Sequence, residues 1–285
     1  MDVLVLGARG GLGRLVCAEL ASRGHAVRSV PRSSTRDADA LVAAGHGVGA
    51  IVDCAGASVG FGPGWRGYGA IDTPIGLAAA AAARRLDARM VYVSVHHPPA
   101  LATTAYVAAH ERVVAAMRDV DGVVVRPTGF FSAFGSLLAM ARRGWLVDIG
   151  SGTARTNPID ERDLAAIVAE CTIGDGPREL SAGGPEVLTR GELFDLVADF
   201  AGRRVRTLRV PVWLGGAMAS ALRVVHPRMG QFAKFAAGLG RHDVIAPALG
   251  TRTLRDYFEG GAGGSTATLR LYFAGSGANV SHSQR

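Results

Sequence analysis

A run of closely spaced glycines near the start of the chain has the pattern of a phosphate-binding loop. Residues 7–13 read G-A-R-G-G-L-G, between an apolar run of strand length and a stretch with helical spacing. Gly7 permits a tight turn, Gly10 lets the backbone approach a pyrophosphate, and Gly13 lets the helix pack closely on its strand. The free N–H groups of the helix N-terminus then face the phosphates. The predicted cofactor contacts of this loop are Gly7, Arg9, Gly10, Gly11, Leu12 and Gly13.

The spacing of these glycines is G-x-x-G-x-x-G rather than the commoner G-x-G-x-x-G. Glycine accounts for 39 of the 285 residues, so the three glycines alone indicate little. Their position between a strand and a helix is what predicts a nucleotide site. A tight turn that binds no ligand is the alternative.

Arginines near this loop favour a dinucleotide that carries an extra phosphate. Sites specific for NAD place an Asp or Glu near the end of the second strand, where it binds the ribose 2′-hydroxyl. Here that segment, residues 27–33, reads V-R-S-V-P-R-S, with Arg28 and Arg32 and no carboxylate before Asp37. With Arg9 inside the loop, two guanidinium groups meeting there suit a 2′-phosphate. The sequence therefore favours NADP(H) over NAD(H), with Arg32 as a contact; the alternative is that Arg32 is a solvated surface residue.

The elements around the loop alternate between strands and helices. Short apolar runs predict strands at 2–6, 26–30, 51–55, 90–95 and 123–125, with helical stretches such as 75–85 and 104–118 among them. This alternation implies right-handed crossovers and an α/β fold whose parallel sheet is doubly wound.

Later in the chain the helical signals dominate. Asp160 is a candidate helix N-cap, and Thr189 with Glu192 has the spacing of a capping box. Strands are predicted near 146–149, 178–181 and 205–210, and a helix at 213–224. Trp213 and Met218 on that helix are predicted to be core residues, with the lining of a hydrophobic substrate pocket as the alternative.

Composition limits the class of protein. An apolar fraction of 48% in 285 residues supports a sizeable core. Three scattered cysteines without C-x-x-C spacing fit a reducing compartment and no metal site. No run of about 18 apolar residues and no secretory signal is visible, so a cytoplasmic protein without a membrane partner is expected. The net charge of +7 comes from dispersed arginines, which indicates a solvated surface rather than nucleic-acid binding.

Further motifs follow the glycine loop in order. They are V-D-C-A-G-A-S at 52–58, V-Y-V-S at 91–94, Y-V-A-A-H-E at 106–111, V-R-P-T-G-F-F at 125–131 and T-N-P-I-D-E-R-D-L-A at 156–165. From residue 1 to about residue 259 the series resembles the atypical short-chain dehydrogenase/reductases, specifically the NmrA-like NAD(P)H-binding proteins.

The resemblance implies a Rossmann-type doubly wound parallel sheet with a smaller C-terminal substrate lobe. It implies residues 1–172 as the NAD(P)-binding domain and 173–260 as a mostly helical substrate-binding lobe. Residues 261–285 begin within a glycine-rich stretch and contain no acidic residue, which predicts a mobile tail in which Leu269 to Ala274 could add an edge strand. In such proteins Ala55 and Gly56 line the adenine ribose, and the segment Pro127, Thr128, Gly129 and Phe130 flanks the nicotinamide. For Phe130 and Phe131, the sequence favours a core position and stacking on the cofactor equally.

One departure from the family lies between the second strand and the A-G turn. Family members usually have a longer segment there, with a strand and an Asp that contacts the adenine ribose. Here only residues 33–52 intervene, so that strand is expected to be reduced or missing.

The second departure concerns the catalytic residues. Short-chain reductases commonly use a Ser, a Tyr and a Lys four residues after the Tyr. Ser94 and Tyr106 are close to the usual interval, but the fourth residue after Tyr106 is His110, and the only lysine is Lys234. A phenol of ordinary pKa, about 10, is a reluctant acid or base at neutral pH without that lysine. Tyr106, His110 and Ser94 are the predicted catalytic residues.

In this arrangement Tyr106 donates a hydrogen bond that polarises a carbonyl, Ser94 shares that role, and His110 holds the ribose hydroxyl. Capping or packing of the helix is the alternative role of Tyr106. His96 or His97 could replace the missing acid, and a metal site on this adjacent pair is not expected because the two side chains point in different directions.

Three functions remain open from the sequence. The first is an NADPH-dependent reductase that transfers hydride to an apolar carbonyl, quinone or enone, a small-molecule substrate. The second is a non-catalytic NAD(P)H-binding regulator or sensor, and the third is a non-redox isomerase or cyclase on the same fold. The oligomeric state is left open between monomer and homodimer.

Overall fold

The computed structural model describes residues 1–57, 66–174 and 176–260. The predicted tail at 261–285, with its candidate strand at 269–274, lies outside the described residues.

Ten strands and ten α-helices make up this part of the chain. The strands are β1 (Asp2–Leu6), β2 (Ala26–Ser29), β3 (Ala50–Asp53), β4 (Arg89–Val93), β5 (Gly122–Pro127), β6 (Trp145–Ile149), β7 (Arg155–Thr156), β8 (Glu179–Ala182), β9 (Leu188–Thr189) and β10 (Arg206–Val210). The helices are α1 (Gly11–Ser22), α2 (Ala38–Ala44), α3 (Tyr68–Leu86), α4 (Ala105–Ala116), α5 (Phe131–Ala141), α6 (Glu161–Ile173), α7 (Arg190–Asp199), α8 (Val212–Val225), α9 (Pro227–Leu239) and α10 (Leu254–Glu259).

The main sheet has six parallel strands in the order β2-β1-β3-β4-β5-β8. Its inner strands are continuous apolar runs because helices cover both faces. One face packs against α2, α3 and α4, and the other packs against α1 and α6. The doubly wound α/β fold predicted from the sequence is confirmed.

The strand expected to be missing is absent from the described part of the sheet. β2 forms its edge, and the segment from β2 to β3 holds a 3-10 turn at Arg32–Ser34 and the short helix α2 instead. Asp37 begins α2, accepting hydrogen bonds from the backbone N–H groups of Asp39 and Ala40. The sequence did not signal α2, since it has only two helical turns.

A second body of helices packs around α5, α7 and α10. Its core includes Phe131, Leu146, Phe194, Val197 and Leu254. The segment predicted as the Rossmann domain thus supplies α5 and β6 to this second core, while β8 from the predicted lobe joins the main sheet. Both predicted segments contribute to both cores.

The capping signals read from the sequence are confirmed. The Asp160 carboxylate accepts the N–H of Arg162 at 2.7 Å and begins α6. Thr189 and Glu192 form a reciprocal capping box at the start of α7.

The prediction that Trp213 and Met218 are core residues is wrong. Trp213 is 71% exposed and Met218 is 60% exposed, on the outer face of α8. Helical periodicity identifies an apolar face, but it does not say whether another element covers that face. Within the described ranges, no helix has both the length and the apolar character needed to cross a bilayer.

Candidate cofactor and substrate site

The glycine loop makes the tight turn that its sequence predicts. Gly7 has φ of +78°, and a Cβ there would lie 2.8 Å from the carbonyl oxygen of Cys54 and 2.9 Å from the Cα of Ala55. The Gly10 N–H donates to the Gly7 carbonyl at 2.8 Å and closes the turn. The loop therefore lies directly against the A-G turn, and only glycine fits at position 7.

The N-terminus of α1 is exposed to solvent on one side and packs tightly against the glycine loop on the other. Gly10 and Gly11 are exposed, whereas Gly13 is buried, and a Cβ on Gly13 would lie 2.1 Å from the Gly7 carbonyl oxygen. Gly10 is the N-cap, with no side chain to accept the first-turn N–H groups, and no acidic residue occupies that turn. These free N–H groups, at the positive end of the helix dipole, form an anion site that fits a dinucleotide pyrophosphate.

The arginines near the loop divide into two groups. Arg28 pairs with Asp2 and donates to the His46 carbonyl at 2.8 Å, toward the N-terminal ends of the strands. The sequence names Arg28 with Arg32 near the end of β2 but predicts only Arg9 and Arg32 as contacts, and this ion pair directs Arg28 to Asp2. Arg9, Arg32 and Arg36 are exposed and form no ion pair with a described residue, so their guanidinium groups are available to an anionic ligand.

Two buried carboxyls lie beside the A-G turn. Asp53 ends β3 and accepts the Ala55 N–H at 2.9 Å, and Asp72 on α3 accepts the Ala57 N–H at 2.6 Å. Burial raises the pKa of Asp53 to about 7, with a contribution from the charge of Asp72. Burial raises the pKa of Asp72 to about 6, against the lowering effects of the Ala57 N–H, Arg228 and Arg36. The two carboxyls hold the turn that carries Ala55 and Gly56.

The segment predicted to flank the nicotinamide is held rigidly at the end of β5. The Thr128 side chain is buried and its hydroxyl donates to the Asn157 carbonyl at 2.6 Å. Gly129 accepts the Ile159 N–H at 2.8 Å, and Phe130 forms a parallel bridge with Ile159. Phe130 packs partly on the core of the sheet, and Phe131 is fully in the second core.

Tyr106 and His110 meet on α4, as their spacing predicts. Their ring centroids are 5.0 Å apart, and Tyr106 also packs against Tyr68 at 4.7 Å and Phe235 at 4.8 Å. Nδ1 of His110 shares a 2.7 Å hydrogen bond with the Tyr92 hydroxyl. Tyr106 thus lies in an aromatic cluster to which α3, α4 and α9 contribute.

Burial determines the protonation states of Tyr106 and His110. Burial raises the pKa of Tyr106 well above its ordinary value, with further increases from Tyr68 and Asp72, so the phenol stays protonated. Burial lowers the pKa of His110 to about 4, and the imidazole is neutral at pH 7. His110 therefore does not replace the positive charge of the missing lysine, whereas Tyr106 is a permanent hydrogen-bond donor.

Ser94 lies just past β4, two residues after Tyr92 on the same face of the sheet. It is buried, and its N–H donates to the Val125 carbonyl at 2.8 Å. No hydrogen bond joins Ser94 to Tyr106 in the described structure. The structure thus brings Tyr106 and His110 together and leaves Ser94 as a separate polar group at the strand end.

The two histidines after β4, His96 and His97, each contact a polar side chain. Nδ1 of His96 lies 3.1 Å from the Ser181 hydroxyl. Nε2 of His97 lies 3.3 Å from Glu111, which in turn pairs with Arg126 at 2.5 Å. No group of three or more potential metal ligands occurs in the described ranges.

Four buried polar atoms near this edge of the sheet have no hydrogen-bond partner among the described residues. They are Oδ2 of Asp53, the hydroxyl of Tyr68, Oγ of Ser94 and Nε2 of His110. An unsatisfied buried polar atom costs about 1–3 kcal/mol. Such atoms near the carboxyl edge of a parallel sheet, where ligands bind in this fold class, indicate a site built for a polar ligand.

The sequence does not point to Asp53, Asp72, Tyr68 or Tyr92. A signal exists for Tyr92, because alternation along V-Y-V-S places it on the same face as Ser94. Asp72 and Tyr68 belong to the first turns of α3, which the alanine-rich pattern predicts only from residue 75.

The pH dependence of stability tests the burial of His110. Its folded pKa lies below its unfolded value near 6.5, so its contribution is fully present above pH 6.5 and is lost as pH falls toward 4. We expect the wild type to lose about 2 kcal/mol of unfolding free energy between pH 7 and pH 4.5 that His110→Gln does not lose. Urea unfolding of both proteins at several pH values measures this. If the unfolding free energies of the two proteins change with pH in the same way, His110 is not buried in its neutral form.

Comparison with known proteins places the chain in a family. No protein-family model matches it. It is 31% identical, over 318 aligned positions covering 90% of this chain and 77% of the relative, to divinyl chlorophyllide a 8-vinyl-reductase, chloroplastic, of Oryza sativa subsp. indica. The Zea mays protein of the same name is 29% identical, with 90% of this chain and 78% of the relative covered. The chain belongs to the atypical short-chain dehydrogenase/reductase family.

Solved structures share the fold. The NADPH-dependent quinone oxidoreductase QOR2 of Escherichia coli, complexed with NADPH, superposes with a TM-score of 0.67 at 17% identity, covering 90% of this chain and 99% of that one. The human epimerase family protein SDR39U1 (isoform 2) with NADPH gives a TM-score of 0.67 at 21% identity, covering 91% and 98%. The family membership and the Rossmann-type sheet read from the sequence are confirmed.

Proposed function

We propose that this protein is an NADPH-dependent reductase that transfers hydride to an apolar small molecule bearing a carbonyl, quinone, enone or similarly activated double bond. The observation that carries the proposal is the set of unpartnered buried polar atoms near the carboxyl edge of the sheet that also carries the glycine loop. They lie where ligands bind in parallel α/β sheets, at the carboxyl ends of the strands.

The residues present fit a nicotinamide dinucleotide. The open N-terminus of α1 would hold the pyrophosphate, Ala55 and Gly56 the adenine ribose, and Pro127 to Phe130 the nicotinamide side. Arg9 and Arg32 would bind the 2′-phosphate, and Arg36 is a further candidate. When bound, NADPH supplies the hydride, so the protein need only position and polarise the acceptor.

Tyr106 acts in this proposal as a neutral donor. Burial keeps its phenol protonated, which suits hydrogen bonding to the substrate oxygen or to the electron-rich end of a conjugated system. Tyr92 bonded to His110, and His110 packed on Tyr106, hold that ring in place. Ser94 is a second donor at the strand end, and Nε2 of His110 is free to meet the ribose.

Two kinds of support favour a reductase with an apolar substrate. The relatives named above are reductases of a vinyl group, which is a carbon–carbon double bond. In this chain, Tyr68, Tyr106, Phe232 and Phe235 bring aromatic surface from both α3–α4 and α9 to the site. A cytoplasmic location stays a prediction from the sequence, and the choice between monomer and homodimer stays open.

The preference for NADPH is tested by Arg32→Ala, with Arg28→Ala as the matched control. Loss of a guanidinium from a phosphate removes about 1.5 kcal/mol or more, so Arg32→Ala should lower the ratio of NADPH to NADH affinity about tenfold. Arg28 is held by Asp2 and His46, and its removal should leave that ratio unchanged. Titration of both coenzymes into the three proteins gives the ratios. Equal ratios in all three would remove Arg32 from the site.

Hydride transfer itself is tested with NADPH deuterated at the transferring carbon and a panel of quinones, enones and carbonyls. Deuterium in a product is the expected result. Cofactor binding without turnover would favour the regulatory alternative. A converted substrate without deuterium would favour an isomerase or cyclase.

A further inference from the structure

The outer face of α8 is apolar and bare. Trp213 is 71% exposed, Met218 60%, Val224 85% and Val225 66%, and Leu214 is also exposed. At about 100° per residue these side chains fall within an arc of about 140° on one side of the helix. Scattered apolar residues on a surface need no explanation, but a continuous apolar helix face marks a contact surface.

The opposite side of α8 is already packed. Gly215 and Ala219 are buried, and a Cβ on Gly215 would lie 2.6 Å from the Ile149 side chain. α9 packs closely on α8 at Gly230, because a Cβ added there would lie 2.4 Å from the Cα of Arg223. The orientation of α8 is therefore fixed, and the apolar face is directed outward.

The stretch of chain that carries this face has cations and no acidic residue. Residues 200–242 contain no Asp or Glu, and their cations are Arg203, Arg204, Arg206, Arg209, Arg223, Arg228, Lys234 and Arg241. Arg223 and Lys234 are exposed, and neither forms an ion pair with a described residue. The apolar helix face is thus bordered by two exposed cations, Arg223 and Lys234, that form no ion pair with a described carboxylate.

A groove of about 370 Å³ opens between α8 and α9 beside the apolar face. Its lining includes Ser220, Arg223, Val224 and Lys234. The Ser220 hydroxyl donates to the Gly216 carbonyl at 2.9 Å, so Arg223 and Lys234 are the groups that suit a singly or doubly charged phosphate. Val224 belongs to both the groove and the apolar face, so a ligand with a phosphate head and an apolar tail would contact both.

We propose that the protein docks on the surface of an anionic lipid bilayer through α8. Trp213, Met218, Val224 and Val225 enter the interfacial region, and a lipid phosphate lies between Arg223 and Lys234. α8 carries one charge, Arg223, and its other side is packed in the protein, so only its exposed face of Trp and aliphatic residues, with cations beside it, would meet such an interface. This attachment revises the sequence prediction of no membrane partner, and it is independent of the proposed reductase activity.

Other occupants fit the face less well. A symmetric dimer through α8 would bring the same unneutralised cations of two copies together. A nucleic acid would use the cations but would leave Trp213, Met218 and Val224 without a role, since phosphate contacts come from polar and charged groups. Anionic lipid matches both the charge and the apolar surface.

The charge component is tested by co-sedimentation with vesicles of phosphatidylglycerol and phosphatidylcholine. The wild type should bind these vesicles and bind pure phosphatidylcholine weakly. Arg223→Gln/Lys234→Gln should weaken binding roughly 30-fold, from about fivefold per cation. Arg84→Gln/Arg118→Gln removes the same charge from exposed positions elsewhere and should change binding little.

The apolar component is tested by Trp213→Gln/Met218→Gln, with Leu77→Gln/Ile173→Gln as the matched control on other exposed apolar residues. The first pair should weaken vesicle binding at least about tenfold and the second should not. Circular dichroism and thermal unfolding confirm that each variant folds.

Several outcomes would overturn the proposal. They are absence of wild-type binding to the anionic vesicles, equal binding by test and control pairs, and retention of duplex DNA in place of vesicles. Self-association that the α8 pair abolishes, without vesicle binding, would assign the face to a second copy instead.

Discussion

Gly13→Ala should abolish NADPH binding and destabilise the protein by at least about 3 kcal/mol. The added Cβ would lie 2.1 Å from the Gly7 carbonyl oxygen and 3.0 Å from the Cα of Ala8, both backbone atoms that a side-chain rotation cannot move. The loop must then move away from α1, and its N–H groups lose their common direction. Thermal unfolding and coenzyme titration measure the two effects.

Gly11→Ala is the matched control for this substitution. Gly11 belongs to the same first turn, but a Cβ there has no neighbour within 4 Å. Alanine is also the better helix former, so the stability should be unchanged or slightly higher. If both variants fold and bind NADPH like the wild type, the close packing of α1 on the loop is not what shapes the site.

Tyr106→Phe should lower kcat about 100-fold and leave coenzyme affinity unchanged. The substitution removes only the hydroxyl, which has no hydrogen bond to a described residue, so the contacts with Tyr68, His110 and Phe235 persist. A donor aimed at developing charge contributes about 10²–10³ in rate. Steady-state kinetics with an acceptor found in the substrate panel, together with NADPH titration, separate kcat from binding.

Tyr257→Phe controls for the general effect of losing a tyrosine hydroxyl. Tyr257 packs edge-on against Phe131 in the second core, at 5.6 Å between ring centroids. Its variant should retain the wild-type kcat. Full activity of Tyr106→Phe would give that residue a packing role, the alternative already evident from the sequence.

The sheet and the loop could be predicted because local rules decide them. Buried parallel strands read as apolar runs, and positions 7 and 13 admit no Cβ, so the sequence itself carries the constraint. The missing strand after β2 was visible as a short interval in residue number. Thr189 and Asp160 likewise fix helix starts through bonds to nearby N–H groups.

The features that the sequence did not predict depend on contacts between residues far apart in the chain. Arg28 and Arg32 are four residues apart in the sequence, yet Arg28 is turned away by Asp2, a residue on the neighbouring strand. The environment of His110 depends on Tyr92, which lies on a different element. Whether Trp213 is covered depends on what packs outside α8, and periodicity does not contain that information.

Calorimetric titration of the wild-type protein with NADPH and with NADH tests the central claim most directly, namely that the loop at residues 7–13 binds a nicotinamide dinucleotide. We expect one site per chain, filled by NADPH at micromolar concentration and by NADH more weakly. Absence of a binding signal for both coenzymes, in reduced and oxidised form, with a protein shown to be folded, would contradict the claim.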